Sequence, residues 1–174
     1  MIDMQHAINV SALAQKVSFE LAISEAGRIL LSAAGLFHDI GKLGVPAELL
    51  NKPDALSSDE HKIIQWHTTI GYHMLNNMPD AIHKFCAQAA LYHHERIDGS
   101  GYLMLTGEQI PFSARLIAVV DIYDALTSDR PYRQAWSQDD AVDFLNEQAG
   151  IQLDPMIVAA LIASVRNAAM SPHS

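Results

Sequence analysis

Cysteine is nearly absent: one residue in 174, so neither an internal disulfide nor a thiolate metal cage can form. Glycine and proline are few, 9 and 7, while the AVILMFWYC set makes up 49%. That balance excludes a disordered chain and supplies a real core. Long apolar runs are missing as well. Leu116-Ile117-Ala118-Val119-Val120 is typical of the longest, far too short to cross a bilayer, so no membrane span is expected. No basic stretch followed by an apolar one opens the chain, and no signal peptide is read there. Basic residues are scarce, 11 against 20 acidic ones, giving a formal charge of −9. Broad attachment to DNA or RNA is therefore disfavoured. The expectation is one acidic, cytoplasmic domain over residues 1–174. What the sequence has in quantity is histidine, nine in all, beside many aspartates: the raw material of a metal site.

The apolar spacing is helical almost throughout. Ser24 is a candidate N-cap for a helix through Ile29 and Phe37. Ser57-Ser58-Asp59-Glu60 reads as a capping box opening one helix that runs through Trp66 and His67 towards Leu75. Pro79 suits the first turn of a helix reaching His94. Phe112 to Leu126 is a further apolar segment, Ser137 caps a helix closed by Gly150, and Asp154-Pro155 opens a last one ending near Arg166. Clean period-two alternation is absent. Gly41–Lys52 and Ile97–Pro111 read as long irregular loops, a kind of segment that usually carries function in a small domain. The fold class is all-α, a single-domain helical bundle.

Several helices bring a metal-binding residue from an apolar context. His38-Asp39 ends an apolar helix, and His93-His94 ends another rich in alanine. His67 lies within a third helix, and His6 on the first. Asp121 is flanked by Val119, Val120 and Ile122, where an unpaired carboxylate would be costly. Each alone reads as a capped helix end or a satisfied core residue. Together, imidazoles and carboxylates without thiolate suit a hydrolytic metal centre. His61, His73, His83 and His173 read as surface or packing residues, and Cys86 as a small core residue.

His38-Asp39-Ile40-Gly41-Lys42, His93-His94-Glu95-Arg96, Asp98-Gly99-Ser100-Gly101-Tyr102 and the run from Asp121 to Arg133 resemble the HD-GYP domain. This is the branch of the HD metal-dependent phosphohydrolases that hydrolyses cyclic di-GMP. The resemblance extends from residue 6 to about 165. It implies a bundle of the HD phosphohydrolase type and two divalent metal ions, iron or manganese being the metals best suited. His6, His38, Asp39 and Asp121 would hold the first metal, and His67, His93 and His94 the second, with Asp39 bridging. By the same resemblance, a hydroxide between the metals attacks phosphorus, giving linear pGpG and, on further hydrolysis, GMP. Lys42 lies near the reacting phosphate, Arg130 and Arg133 grip the substrate's phosphates, and Gly101 and Tyr102 begin the loop beside it.

Three departures stand out. The proline of the GYP motif is Leu103 here. Since leucine does not fix its backbone angle, the segment from Gly101 to Gly107 is expected to be less preorganised. The glutamate that serves a third metal in some members would fall at Ile2, which cannot ligate, and Asp3 lies about 100° further around the helix. No receiver, sensor or membrane segment is read before the domain, so any regulation is expected from a protein partner in trans or from ligand levels. Besides cyclic di-GMP hydrolysis, two alternatives stay open: a non-hydrolysing cyclic dinucleotide sensor or adaptor, and a hydrolase of another cyclic dinucleotide.

Overall fold

The computed structural model describes residues 3–129 and 133–170. Ile2, Arg130 and His173, which figure in the sequence reading, lie outside them. Among the described residues there are nine α-helices and no strand, only two isolated bridges. They are α1 (Met4–Glu20), α2 (Glu25–Phe37), α3 (Ala47–Leu50), α4 (Ser58–Gln65), α5 (His67–Asn76), α6 (Ala81–Tyr92), α7 (Phe112–Thr127), α8 (Gln138–Gln148) and α9 (Pro155–Met170). The all-α reading holds.

Side-chain caps start several of these helices where the sequence places them. Ser24 accepts from the Gly27 N–H, Ser57 and Glu60 form a reciprocal capping box, and Ser137 accepts from the Asp140 N–H. Each such cap stabilises its helix by about 1 kcal/mol. Asp80, not Pro79, caps α6, so the proline lies just outside the helix. The loop expected over Gly41–Lys52 contains a 3-10 turn, Ile40–Gly44, and the short α3. The last helix runs beyond Arg166 to Met170.

One expected helix is two. The stretch from Ser57 towards Leu75 breaks at Trp66, whose N–H bonds back to Ile63. Two side chains cause the break. His67 Nδ1 donates to the Ile64 carbonyl at 2.7 Å, and Thr68 Oγ1 donates to the Gln65 carbonyl at 3.0 Å. Both carbonyls would otherwise accept from the next turn of backbone. The resulting bend turns His67 into the protein, where it is 1% exposed.

α7 lies at the centre of the bundle. Leu116, Ile117, Val119 and Val120 are fully buried on successive faces of it, as expected of a helix apolar all round. α1, α2, α6, α8 and α9 pack around it, and α5 lies on α6. One continuous apolar core links α1, α2, α5, α6, α7, α8 and α9. No helix among the described residues is long and apolar enough to cross a membrane.

Candidate metal centre

The buried histidines collect at one place. His38, Asp39, His67 and His93 are all buried, and His6, His94 and Asp121 complete a cluster drawn from five elements. α1 carries His6 near its start. His38 and Asp39 follow the end of α2, as the chain leaves the α-helix for the 3-10 turn. His67 opens α5, His93 and His94 end α6, and Asp121 sits within α7. Gly41 makes the meeting of the 3-10 turn and α5 feasible: a Cβ there would collide with the His67 backbone carbonyl and stand 2.5 Å from the Gly71 nitrogen.

Three groups of donors can each hold a metal ion: His6, His38 and Asp121; His38, Asp39 and His93; and His67, His93 and His94. Within each, one ligand atom per residue lies inside 4.8 Å of the others. Asp39 stands between the ends of the cluster. Its Oδ2 is 3.5 Å from His38 Nε2, and its Oδ1 is 3.4 Å from His67 Nε2 and 3.8 Å from His93 Nε2. Such a carboxylate can face a cation with each oxygen. All seven residues expected as ligands are thus brought together.

The hydrogen bonds prepare these histidines as donors to a cation. His38 Nδ1 donates to the Gly35 carbonyl at 2.7 Å, His67 Nδ1 to Ile64 at 2.7 Å, and His93 Nδ1 to Ala90 at 3.0 Å. Holding the proton on Nδ1 leaves the Nε2 lone pair of each ring aimed at the centre. His38 Nε2 and Asp39 Oδ1 are buried with no hydrogen-bond partner. Buried polar atoms without partners cost free energy, and a cation between them would satisfy both. The donor set therefore fits a metal.

Charge differs from one end of the cluster to the other. Burial above all lowers the pKa of His94 to about 4, with His67 adding to the effect, and it holds His67 and His93 below the ordinary value as well. Those three rings are neutral near pH 7 and ready to ligate. His6 behaves oppositely. Burial disfavours its charge, but hydrogen bonds and attraction to Asp121 and Asp124 outweigh that and raise its pKa to about 9. For Asp39, burial is outweighed by His38, Lys42 and His93, which hold its carboxyl well below the usual range. Burial is likewise outweighed for Asp121, chiefly by the hydrogen bond from His6, which holds its carboxyl well below the usual range.

A cleft of about 460 Å³ opens on this cluster, with His6, Asp39, His94, Asp121, Lys42 and Arg96 in its walls. Lys42 pairs with Asp39 one 3-10 turn away. Tyr102 lies against the ring of His94, centroids 4.7 Å apart. Arg133 is elsewhere: it is exposed, donates to the Ala125 carbonyl, and lies over the Trp136 ring at 5.7 Å. Among the described residues, Arg96 joins Lys42 in the cleft wall.

Sequence reasoning missed two carboxylates. Asp124, which the sequence analysis gave no role, is buried. Its Oδ2 accepts from His6 Nδ1 at 2.6 Å, and its Oδ1 accepts from Asn9 at 2.9 Å and Ser128 at 3.2 Å. It thereby orients His6, whose Nε2 lies 3.1 Å from Asp121. The three-residue spacing of Asp121 and Asp124 on one helix was the available signal, since it puts both on one face. Glu95, also buried, accepts from the Leu103 N–H at 2.8 Å and the Leu105 N–H at 2.9 Å. This corrects the expectation of a slack loop: the leucine that lacks proline's ring supplies an N–H, and that N–H ties the loop down.

Imidazole and carboxylate donors, framed by helix ends around a central helix, make a cluster that could bind metal, with donor types that suit hydrolytic chemistry. Residues 3–157 match the HD domain family, and the chain belongs to it. It is 42% identical over 154 residues to the cyclic di-GMP phosphodiesterase response regulator RpfG of Xanthomonas campestris, covering 88% of this chain and 41% of that one. It is 38% identical over 157 residues to the 3′3′-cGAMP-specific phosphodiesterase 3 of Vibrio cholerae, covering 90% and 34%. Among solved structures, Bd1817, an HDG"Y"P protein from Bdellovibrio bacteriovorus, superposes with a TM-score of 0.74 at 20% identity, over 94% of this chain and 52% of that one. The last likeness concerns the fold alone. The chain spans about two fifths of the length of the curated relatives it matches.

Proposed function

We propose that this chain is a metal-dependent phosphodiesterase that hydrolyses a cyclic dinucleotide, cyclic di-GMP first, to its linear form and onward to the mononucleotide. The observation that carries the reading is the pair of buried atoms without partners, His38 Nε2 and Asp39 Oδ1, at the heart of seven converging donors. His6, His38, Asp39 and Asp121 would hold one divalent ion, and His67, His93 and His94 a second, with Asp39 shared. Iron and manganese both suit imidazole with carboxylate. When bound, the ions would make a water-derived nucleophile available near neutral pH and neutralise the phosphate's non-bridging oxygens.

The chain's own groups do the rest. Asp39 uses both oxygens to keep the two groups of histidines in register. His67, His93 and His94 are held neutral by burial, so their lone pairs are free at working pH. His6 must give up its proton to ligate, and Asp124 keeps the remaining N–H on Nδ1. Lys42 and Arg96 present cationic donors to the phosphate in the cleft, where charge grows during attack. Arg130 would add a further contact, and Arg133 would do so only after leaving the Ala125 carbonyl. Tyr102 and Gly101 wall the substrate on the His94 side. The net charge of −9 does not oppose an anionic substrate, because the field that acts is local.

Similarity to a relative named for cyclic di-GMP and to another named for 3′3′-cGAMP frames the substrate test. Protein loaded anaerobically with Fe(II) or Mn(II) is incubated with each dinucleotide, and linear products are resolved by chromatography. The expected result is metal-dependent cleavage of cyclic di-GMP that Asp39→Ala abolishes. Tight binding without turnover in fully loaded protein would make the chain a sensor instead. Preferential cleavage of 3′3′-cGAMP would keep the chemistry and change the substrate.

A further inference from the structure

Glu95 belongs to none of the groups that can hold a metal ion, yet it is a carboxylate only 3% exposed. Burying that charge is costly unless its oxygens are satisfied. Both are, and both by one loop. Oε1 accepts from the Leu103 N–H at 2.8 Å and Oε2 from the Leu105 N–H at 2.9 Å. Met104 between them has φ +58, a left-handed conformation that costs a non-glycine residue free energy. That twist brings the N–H groups of residues 103 and 105 onto one anion, a concave arrangement of amides that suits a carboxylate. The other side of Tyr102 is held too. A Cβ on Gly101 would come within 2.5 Å of Glu95 Cα and 2.9 Å of Glu95 Cδ, so the chain there lies directly on Glu95. Tyr102 is bracketed between these two contacts, with its ring tilted 38° against that of His94.

Building on the phosphodiesterase reading above, we propose that Glu95 is the positioning residue of the substrate loop: its carboxylate clamps the amides of Leu103 and Leu105 and so holds Tyr102 beside His94. Leu103 is part of the clamp through its backbone rather than its side chain. Proline at 103 would fix φ but has no N–H, leaving Glu95 Oε1 buried without its donor. Leucine here is the residue the clamp requires, and the metal-ligating end of α6 and the substrate wall become one unit through the adjacent residues His94 and Glu95.

The clamp is read without substrate by amide hydrogen exchange and by the Tyr102–His94 ring contact, seen as an NMR cross-peak in the full chain. In the unsubstituted protein the Leu103 and Leu105 amides should exchange more slowly than that of Met104, and the ring contact should be present. Glu95→Gln puts an NH2 donor against one of the two amides. It should speed exchange at one or both about tenfold or more and weaken the ring contact. In metal-loaded protein its KM for cyclic di-GMP should rise about tenfold, with metal content unchanged and kcat changed far less. Leu103→Pro should also raise KM and speed exchange at Leu105. Fast exchange at both amides of the unsubstituted protein overturns the proposal. So does a lower KM in Leu103→Pro, which would mean that the loop needs stiffness and not the N–H. A fall in melting temperature with KM unmoved in both variants would reduce Glu95 to a structural residue. Protected amides in a fully loaded protein that cleaves no cyclic dinucleotide would sink the phosphodiesterase reading and leave the clamp standing.

Discussion

Replacing Asp124 by asparagine keeps the shape of the side chain and changes the tautomer of His6. Asn9 and Ser128 both donate to Oδ1 of Asp124, and His6 Nδ1 meets Oδ2 at 2.6 Å. In Asp124→Asn the amide oxygen is drawn to the two donors, so the NH2 faces His6. A donor there drives the ring proton from Nδ1 to Nε2, the atom that would face the cation beside Asp121. Losing a hydrogen bond to a charged acceptor costs about 1.5–3 kcal/mol, and carboxylates that orient metal-bound histidines are typically worth 10- to 100-fold in metal affinity. The expected outcome is a fall of that size for the metal that His6, His38, Asp39 and Asp121 would hold, with binding at His67, His93 and His94 little changed. Chelator competition with Mn(II), read by stoichiometry and affinity, measures both. The His6 ring should also titrate below its present value of about 9, since Asp124 is one of the two carboxylates that raise it. Unchanged affinity at both sites, with His6 still titrating near 9, would refute the orienting role.

Asp39→Ala should empty both groups together, because its two oxygens serve both, and elemental analysis showing full metal content would refute a shared carboxylate. Gly41→Ala should destabilise the fold by about 1–3 kcal/mol or more, since the new Cβ meets backbone of α5 that cannot rotate away; a thermal melt within about a degree of the parent would count against that contact. The metal-free chain should be most stable near pH 6.5. Below that, the unfolded chain takes protons that buried His94 refuses until about pH 4, a loss of about 3 kcal/mol for that residue alone, with His67 and His93 acting in the same direction. Above it, the stability from His6 is lost as pH rises through about 9. Denaturant titrations in chelator across pH 4.5–9 test this, and a flat profile on the acid side would be the wrong result.

The seven residues that converge as candidate ligands were legible in the sequence because their character is local. A histidine or aspartate at the end of an alanine-rich or leucine-rich helix has an apolar setting that its own neighbours announce, as with His38-Asp39, His93-His94 and Asp121. The caps at Ser24, Ser57 and Ser137 were legible for the same reason, as each acts within one turn. The break at Trp66 was not, although its cause is also local: the Ser57–Leu75 stretch has helical periodicity on both sides, and only the pull of a buried centre on His67 makes the side chain compete for the Ile64 carbonyl. Asp124 and Glu95 were passed over because their partners are set by packing. Asp124 meets a histidine 118 positions away, and Glu95 meets backbone amides, which carry no signature of residue type. Leu103 shows the limit most directly. Judged by side chain and backbone entropy alone, replacing proline loosens the loop; judged with Glu95 in place, the N–H that proline lacks is what holds it. Residue type and helical period determined which groups could bind a metal, while the folded chain decided which atoms those groups and their supporting carboxylates would meet, because hydrogen bonds act over about 3 Å and only tertiary packing brings distant positions that close.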